Sequence, residues 1–368
     1  MQFIDLNSQQ ERIKDSIEKN IKKVFDHGKY INGPEVNELE EKLAEYVGVN
    51  YAVGVGSGTE ALLISLMAYD VKPKDAIFTT AFSFIATAEV VQLLKATPVF
   101  VDIDPKTFNI DANKLEEKIE EVINERTLHP KGIIAVDIFG QPSDYDEINA
   151  IAKKYNLFVL EDAAQSFGAS YKGRKACSVA DVAATSFFPA KPLGCYGDGG
   201  MIFTNNEDFY LTMSSIRVHG KGNNKYDNVR LGINGRLDTL QAAILLSKIE
   251  IFDEEIMLRQ EVAERYNTAL KGSYEIPVIK EHNTSAWAQY SVLHNKRETI
   301  VNKLNTMDIP SAIYYPKPLH LQKVFSYLGY SDGCFPVAER ISKEIFSIPM
   351  YPYLKKEDQD KIIDTLLT

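Results

Sequence analysis

The sequence predicts an α/β fold, in which helices cover a mostly parallel mixed sheet and a smaller α+β domain follows at the C-terminus. Short apolar runs alternate with helix-patterned segments as far as residue 160, and such alternation is typical of a doubly covered parallel sheet. After Gly272 the pattern changes to shorter elements and proline-rich segments at 314–318 and 349–354. The 368 residues, 45% of them hydrophobic, suffice for both domains.

The predicted elements follow from the spacing of apolar residues. Ile13, Ile17, Ile21 and Val24 recur at helical spacing, and Gly28 ends that helix. By the same criterion, helices are predicted at 8–26, 35–47, 60–67, 85–94, 145–155 and 239–270. Apolar runs of strand length predict strands at 51–55, 76–79, 97–101, 132–136 and 157–160.

The domain change is predicted near residue 245, within the long helix-prone stretch that leads out of the sheet region. Residues 1–245 would then form a large domain with an N-terminal helical segment. Residues 246–368 would form the small C-terminal domain.

Charge and composition exclude several classes of protein. The net charge of −10 and the lack of a long basic run argue against nucleic-acid binding. No apolar run approaches the roughly 20 residues that span a bilayer, and the first residues lack the order of a signal peptide. Three scattered cysteines, without metal-ligand spacing, fit a reducing compartment. We therefore expect a cytoplasmic protein that needs no metal and binds neither nucleic acid nor membrane.

The most informative feature is a lysine between two prolines, in the segment FFPAKPLG at 187–194. The residue before a proline is pushed towards extended geometry, so Lys191 cannot lie on a helix with its ammonium in water. An amine held in a rigid apolar segment loses its proton more easily, since burial disfavours the charged form. This position therefore suits covalent chemistry through a Schiff base.

A carboxylate and a glycine-rich turn follow two predicted strands. Asp162 ends an apolar run, where it needs a charged or hydrogen-bonded partner. A protonated pyridine nitrogen would be such a partner, although a helix N-cap or a salt bridge would serve equally well. The turn GVGSGT at 54–59 leads into a helix and can present backbone N–H groups to a phosphate, or can be a tight structural turn.

Three side chains near these segments fit the same kind of site. Gln165 could hydrogen-bond a ring hydroxyl, and Phe82 and Phe84 could stack on a flat ring, although core packing would also explain the phenylalanines. An anion loop, a strand-end aspartate and a proline-locked lysine occur in that order along the chain. In combination they match a pyridoxal-phosphate site better than any one does alone.

In these motifs the chain resembles the DegT/DnrJ/EryC1/StrS aminotransferases, the sugar-modifying branch of fold-type I pyridoxal-phosphate enzymes. The segments EDAAQS at 161–166 and SFFPAKPLG at 186–194 carry the resemblance most specifically, and FIDL at 3–6, GPEV at 33–36 and SIP at 347–349 extend it along nearly the whole chain.

The resemblance implies a role for individual residues. Lys191 would form the imine with pyridoxal 5'-phosphate and move the proton between donor and cofactor, while Asp162 would hold the pyridine nitrogen. The remaining cofactor contacts would be Gln165 at the ring oxygen, Phe84 on the ring face, and Gly58, Thr59 and Ser186 at the phosphate. Asn234 would reach the phosphate in a neighbouring subunit, which implies a homodimer with shared active sites. Arg236, Tyr314, Tyr315 and His320 lie on segments that would line the sugar-nucleotide cleft.

The resemblance also implies a ping-pong transamination from L-glutamate to a keto sugar. FIDL at 3–6 and KPLGCYGDGG at 191–200 look most like enzymes that aminate C3 of UDP-linked 3-keto-2-acetamido sugars, including the uronic acid used for O-antigen and other lipopolysaccharide sugars. The extra carboxylate of the uronate would need a nearby cation such as Arg236. Relatives that act on the uronate can have histidine at the position of Tyr314, so the choice between uronate and hexose stays open. Amination at C4 of a 4-keto-6-deoxy sugar nucleotide, or at C3 of a dTDP-6-deoxy sugar, stays open. A pyridoxal-phosphate-binding regulator without activity is a further alternative, which the intact Lys191 disfavours.

Overall fold

A computed structural model of the chain describes residues 1–224 and 226–368. Its strands, in chain order, are β1 (Tyr51–Val55), β2 (Asp75–Thr80), β3 (Thr97–Val101), β4 (His129–Val136), β5 (Phe158–Asp162), β6 (Ser170–Tyr171), β7 (Arg174–Lys175), β8 (Val182–Ser186), β9 (Gly200–Thr204), β10 (Asn283–Thr284), β11 (Tyr290–Leu293) and β12 (Ile345–Ile348). Its α-helices are α1 (Leu6–Arg12), α2 (Lys14–His27), α3 (Pro34–Val47), α4 (Gly58–Ala68), α5 (Ala86–Leu93), α6 (Ala112–Glu125), α7 (Tyr145–Tyr155), α8 (Glu207–Ile216), α9 (Thr239–Lys248), α10 (Phe252–Leu270), α11 (Arg297–Thr306), α12 (Pro336–Glu344) and α13 (Lys356–Leu367).

The central sheet has seven strands in the order β1-β9-β8-β5-β4-β2-β3. Strands β8, β5, β4, β2 and β3 pair in parallel, whereas β9 runs antiparallel to both of its neighbours, β1 and β8. The mostly parallel mixed sheet predicted from the sequence is therefore confirmed. Because β9 alone is reversed, the carboxyl ends of β1, β5 and β8 lie at the same edge of the sheet.

Helices cover both faces of this sheet, as its apolar strands require. Helices α3, α6, α7 and α9 pack on one face, where they bury alternate residues such as Val159 and Phe203. Helices α4, α5 and α8 pack on the other face, against residues such as Leu160 and Ile202. Successive residues of a strand point to opposite faces, which explains why Val159 and Leu160 lie in different clusters.

The C-terminal part of the chain forms its own core around the β11–β12 pair. Helices α10, α11 and α13 enclose this pair in one hydrophobic cluster. A second cluster joins this part to the large sheet, with Phe82 and Phe139 on one side and Phe325 and Phe335 on the other. The predicted boundary at residue 245 falls inside α9, which packs on the large sheet, and the domain division stays a prediction.

Two predicted helices are each divided into two. The segment 8–26 is α1 and α2, separated at Ile13, and the segment 239–270 is α9 and α10, separated by a turn at 249–251. Ile249 packs beside the cluster under α3, whereas Ile251 packs against the cluster beneath α2. The two isoleucines thus fill different cores, which a continuous apolar pattern does not reveal.

Among the described residues, no helix is both long and apolar enough to cross a bilayer.

Candidate active site

Three strand ends converge on the start of helix α4. Gly200 at the beginning of β9 is the register partner of both Val55 and Ser186, the last residues of β1 and β8. A Cβ atom built on Gly58 would lie 2.6 Å from Cβ of Ser186. Only glycine allows the helix to begin this close to the strand end.

The first turn of α4 is suited to hold a phosphate. Ser57 caps the helix by accepting a hydrogen bond from Glu60 N at 3.1 Å, and Ser186 and Thr59 bring hydroxyl groups to the same place. The N–H groups of the first turn have no partner within the helix and carry its positive partial charge. Because Gly58 lets this turn lie directly against Ser186, the backbone donors and the hydroxyl groups come together and fit the phosphate end of the predicted cofactor.

Asp162 is buried at the carboxyl end of β5. Its Oδ2 accepts a hydrogen bond from the Thr87 hydroxyl at 2.7 Å, and its Oδ1 accepts one from Ala164 N at 3.3 Å. Burial raises the pKa of Asp162, whereas these two donors and the charge of Lys191 oppose that rise. A cationic partner would compensate the buried charge, so this carboxyl group fits the nitrogen of a protonated pyridine ring. The role of Thr87 could not be predicted from the sequence, because a threonine on an apolar helix is typical of the hydrophobic core.

Lys191 ends a tight turn and does not lie on a helix, as the flanking prolines predict. Its N–H donates to the carbonyl of Phe188 at 2.8 Å, with Pro189 in the second position of the turn. A Cβ on Gly194 would lie 2.5 Å from the carbonyl oxygen of Pro189, so glycine lets the loop fold back on itself. Burial lowers the pKa of the Lys191 amine to about 8, and nearby Asp162 opposes this shift. A larger fraction of the amine is therefore neutral near pH 7 than for an exposed lysine.

Gln165 lies between a backbone donor and a tyrosine. Its Oε1 accepts from Phe139 N at 2.6 Å, and its Nε2 donates to the hydroxyl of Tyr315 at 3.2 Å. Burial raises the pKa of Tyr315, which stays a neutral phenol. The link to Phe139 was not predicted, since it depends on a residue with a positive φ of 60° after β4.

The two phenylalanines considered for ring stacking lie differently. Phe82 is fully buried in the cluster between the two parts of the chain. Phe84 is 56% exposed, and its ring centroid lies 6.3 Å from that of Tyr315. Of the pair, Phe84 has the free face that a stacked ring would need.

Asn234 and Arg236 lie on the strand-like segment beside β1. Asn234 is exposed and pairs with Val218 in an isolated bridge, and Arg236 forms a similar bridge with Val55. The Nε of Arg236 is buried without a hydrogen-bond partner among the described residues. A guanidinium with an unused buried donor can still bind an anion.

Tyr314 is half-buried beside Tyr315, whereas His320 is enclosed. His320 is 1% exposed, its Nε2 lies 3.0 Å from Glu339, and its ring packs on Phe335. The structure thus brings together the lysine, the aspartate, Gln165 and the α4 turn, but it does not bring His320 to the surface of a cleft.

The chain matches the family model described as the DegT/DnrJ/EryC1/StrS aminotransferase family over residues 11–367. It is 49% identical to a UDP-2-acetamido-2-deoxy-3-oxo-D-glucuronate aminotransferase of Pseudomonas aeruginosa, over 96% of each chain. It is 40% identical to a pleiotropic regulatory protein of Geobacillus stearothermophilus, over 99% of this chain and 97% of that one. It is 36% identical to a dTDP-3-amino-3,6-dideoxy-alpha-D-galactopyranose transaminase of Aneurinibacillus thermoaerophilus, over 99% of this chain and 98% of that one.

Solved structures agree with this assignment. An aminotransferase of the same family from Brucella abortus superposes with a TM-score of 0.97 at 48% identity, over 100% of this chain and 98% of the other. NtdA from Bacillus subtilis, solved with bound cofactor PMP, superposes with a TM-score of 0.89 at 31% identity, over 99% and 82%. The strand-end carboxylate, the turn-bound lysine and the whole-length similarity agree: the chain belongs to the DegT/DnrJ/EryC1/StrS aminotransferase family and is a pyridoxal-phosphate-dependent aminotransferase.

Proposed function

We propose that this protein moves an amino group from L-glutamate to C3 of a UDP-linked 3-keto-2-acetamido sugar, either the 3-keto hexose or its uronic acid. The observation that carries the proposal is the almost end-to-end match to the Pseudomonas relative named for the 3-oxo uronate. The product would be an amino sugar for bacterial surface polysaccharide or lipopolysaccharide. The protein would work in the cytoplasm as a homodimer with shared active sites.

Lys191 and Asp162 would carry the chemistry. The cofactor, when bound, supplies an electron sink for the carbanion that transamination requires. Lys191 would hold the cofactor through its neutral amine and carry the proton to and from the reacting carbon of the substrate. Asp162 would keep the ring nitrogen protonated, and the hydroxyl of Thr87 would hold that carboxylate in place.

The remaining contacts would orient the ring and its phosphate. Gln165 would reach the ring oxygen and Phe84 would cover one ring face. The phosphate would lie on the α4 turn, among Gly58, Thr59 and Ser186, and Asn234 would reach the phosphate held by a neighbouring subunit. This arrangement uses donors that the fold already leaves free at one edge of the sheet.

Arg236 is the residue proposed to recognise a uronate. It forms no ion pair among the described residues, and its guanidinium would bind a carboxylate with a charge-assisted hydrogen bond. Tyr314 and Tyr315 would line the same cleft, and His320 would act only through the residues that enclose it. Arg236→Met should therefore raise KM for the uronic acid by about tenfold or more and leave KM for the uncharged hexose nearly unchanged.

Borohydride reduction tests the assignment of the lysine. Holoenzyme reduced with borohydride should carry the cofactor on the peptide that contains Lys191. Lys248 is a matched control, because burial also lowers its pKa to about 8, yet it lies over the ring of Tyr196 rather than beside Asp162. Labelling of Lys248, or full turnover by Lys191→Ala, would refute the proposed role.

A substrate panel tests the acceptor. L-glutamate should bleach the cofactor absorbance and release a 2-oxo acid, and a protein that only binds the cofactor would do neither. UDP-linked 3-keto sugars, made in place by partner dehydrogenases, should then restore the absorbance. The dTDP-linked alternative has its own support in the Aneurinibacillus relative. Restoration by a dTDP-linked 3-keto-6-deoxy sugar, or by a 4-keto sugar, and not by the UDP 3-keto sugars would reassign the acceptor.

A further inference from the structure

Two buried carboxyl groups lie directly behind Asp162 and have no role in the site described above. Asp137 follows β4, and Glu161 precedes Asp162 on β5. Both residues are 0% exposed. Glu161 is the register partner of Ala135, two residues before Asp137, so both side chains point to the same face of the sheet, where the two carboxyl groups interact. Two negative charges cannot share such a place, so one of the groups must hold a proton.

The hydrogen-bond donors around the pair are divided unequally. Asp137 Oδ1 accepts from Ser143 N at 2.9 Å and from the Tyr145 hydroxyl at 2.8 Å, and its Oδ2 accepts from the Ser166 hydroxyl at 2.8 Å. Three donors stabilise an ionised carboxylate. Asp137 is therefore the charged member of the pair.

Glu161 has fewer donors. Its Oε1 accepts from Cys177 N at 2.7 Å, and the backbone N–H of Val179 also lies near the group, but no hydrogen bond among the described residues reaches its buried Oε2. An unsatisfied carboxylate oxygen in this position would be costly. A proton on Oε2 removes the charge and supplies a donor that can reach Asp137.

The other titratable groups facing the pair do not supply a positive charge. These groups are Tyr145, Cys177 and Asp162. Burial raises the pKa of Tyr145 and of Cys177, so both remain neutral. Asp162 faces the other side of the sheet, since neighbouring residues of a strand alternate, and adds only a negative charge.

The pair also connects the segments that carry the site. Asp137 N donates to the backbone carbonyl of Asp162 at 3.1 Å, which joins the ends of β4 and β5. Ser166, which donates to Asp137, follows Gln165 in the turn after β5. A change at the pair would therefore move both of the residues proposed to hold the cofactor ring.

We propose that Glu161 is a positioning residue, whose carboxyl group keeps its proton in the folded protein, donates it to Asp137, and thereby fixes the strand end that bears Asp162. The link to the cofactor rests on the function proposed above. The protonation itself does not, because it belongs to the cofactor-free fold.

The first experiment compares wild type with Glu161→Gln as apoproteins. Glutamine cannot ionise, but its amide can donate to Asp137 and accept from Cys177. In the wild type, unfolding at pH values above the ordinary glutamate pKa of about 4.3 releases the proton. The contribution of this proton to the free energy of unfolding is therefore fully present below that pH and declines as pH rises. Between about pH 6.5 and about pH 8, the ratio of the wild-type unfolding equilibrium constant to that of the variant should rise about tenfold for each pH unit. Equal slopes would overturn the proposal.

Infrared spectroscopy gives an independent measurement of the same proton. The difference spectrum of wild-type apoprotein minus Glu161→Gln should contain the carbonyl stretch of a protonated carboxylic acid at about pH 8, well above the ordinary carboxyl range. Its absence would show that Glu161 is ionised and would overturn the proposal.

The positioning role is tested with cofactor binding. Glu161→Met is close in shape but has no donor, and it should raise the Kd for pyridoxal 5'-phosphate by at least about fivefold, whereas Glu161→Gln should keep the wild-type Kd. Equal Kd values for the two variants would refute positioning. If Glu161→Met does not fold, the pH dependence of unfolding and the infrared band still decide whether Glu161 is protonated. If wild type binds no cofactor, the proposed function fails while the protonation of Glu161 is still decided by the apoprotein measurements.

Discussion

At the residue scale, burial acts on Lys191 and Asp162 in opposite directions. It lowers the pKa of the amine and raises that of the carboxyl group, and the opposite charge of each group limits the shift of the other. The neutral fraction of the amine can attack an aldehyde, and the ionised carboxylate can hold a ring nitrogen. Both roles need a deprotonated group: burial favours the neutral amine of Lys191, whereas the charge of Lys191 and the donors at Asp162 favour the ionised carboxylate.

The pKa of Lys191 predicts how fast the apoprotein captures its cofactor at different pH values. The neutral fraction of the amine grows as pH rises towards and through about 8, so the rate should increase over this range and level off above it. An unperturbed lysine would level off only above about pH 10.4. Stopped-flow absorbance after mixing apoprotein with pyridoxal 5'-phosphate measures the profile. A plateau reached only near pH 10 would contradict the assigned environment.

Thr87 gives a second prediction at this scale. Thr87→Val removes the hydroxyl that donates to Asp162 at 2.7 Å without changing the volume much. A hydrogen bond to a charged group contributes about 2 kcal/mol, so the pKa of Asp162 should rise and cofactor affinity should fall. The acid limb of the pH–activity profile should therefore move to higher pH.

Thr87→Ser is the matched control for this variant, because it keeps the hydroxyl. The serine variant should retain the wild-type acid limb. An unchanged profile for Thr87→Val would mean that the hydroxyl does not support the charged carboxylate.

At the scale of elements, the start of α4 and the end of β8 form one unit. A Cβ on Gly58 would meet Cβ of Ser186 at 2.6 Å, so Gly58→Ala should lower the free energy of unfolding by about 1–3 kcal/mol and weaken cofactor binding. Denaturant unfolding and a cofactor titration measure the two effects.

A double variant separates packing from phosphate binding. Adding Ser186→Gly to Gly58→Ala removes the clashing Cβ, and should restore most of the stability. It should not restore cofactor affinity, because the Ser186 hydroxyl is lost. Recovery of both quantities would mean that Ser186 does not bind the phosphate, whereas recovery of neither would mean that the clash is not the cause.

The elements predicted correctly from the sequence are those whose ends are determined by neighbouring residues. The strands at 51–55 and 97–101 and the helix at 145–155 agree with β1, β3 and α7, since apolar periodicity and flanking turns define them. What could not be predicted depends on distant contacts. The turn between α9 and α10 serves two cores, and the hydrogen bond between Thr87 and Asp162 joins residues 75 positions apart. The proline-locked Lys191 was recognisable because its constraint is local.

At the scale of the whole molecule, some large apolar side chains in the segments that carry the site are exposed. Phe84 and Phe188 are more than half exposed, and Leu231, close to Asn234 in sequence, is 88% exposed. Where such side chains form one contiguous patch, the patch is typical of a surface that another molecule covers. The proposed homodimer would cover these side chains and bring Asn234 to the phosphate site of the neighbouring subunit.

Mixing inactive variants tests this shared site directly. Lys191→Ala and Asn234→Ala should each impair activity, the latter when cofactor is limiting. If Asn234 serves the neighbouring subunit, a heterodimer of the two variants contains one site with both native residues. Random reassortment of equal amounts makes half of the dimers mixed, so about a quarter of the wild-type activity should return. Lys191→Ala mixed with Asp162→Asn is the control: both changes affect the same subunit's site, so every site stays defective. Activity in the control would mean that Lys191 and Asp162 serve the sites of different subunits. No activity in the first mixture, despite subunit exchange, would place Asn234 in its own subunit's site and remove the reason for a shared active site.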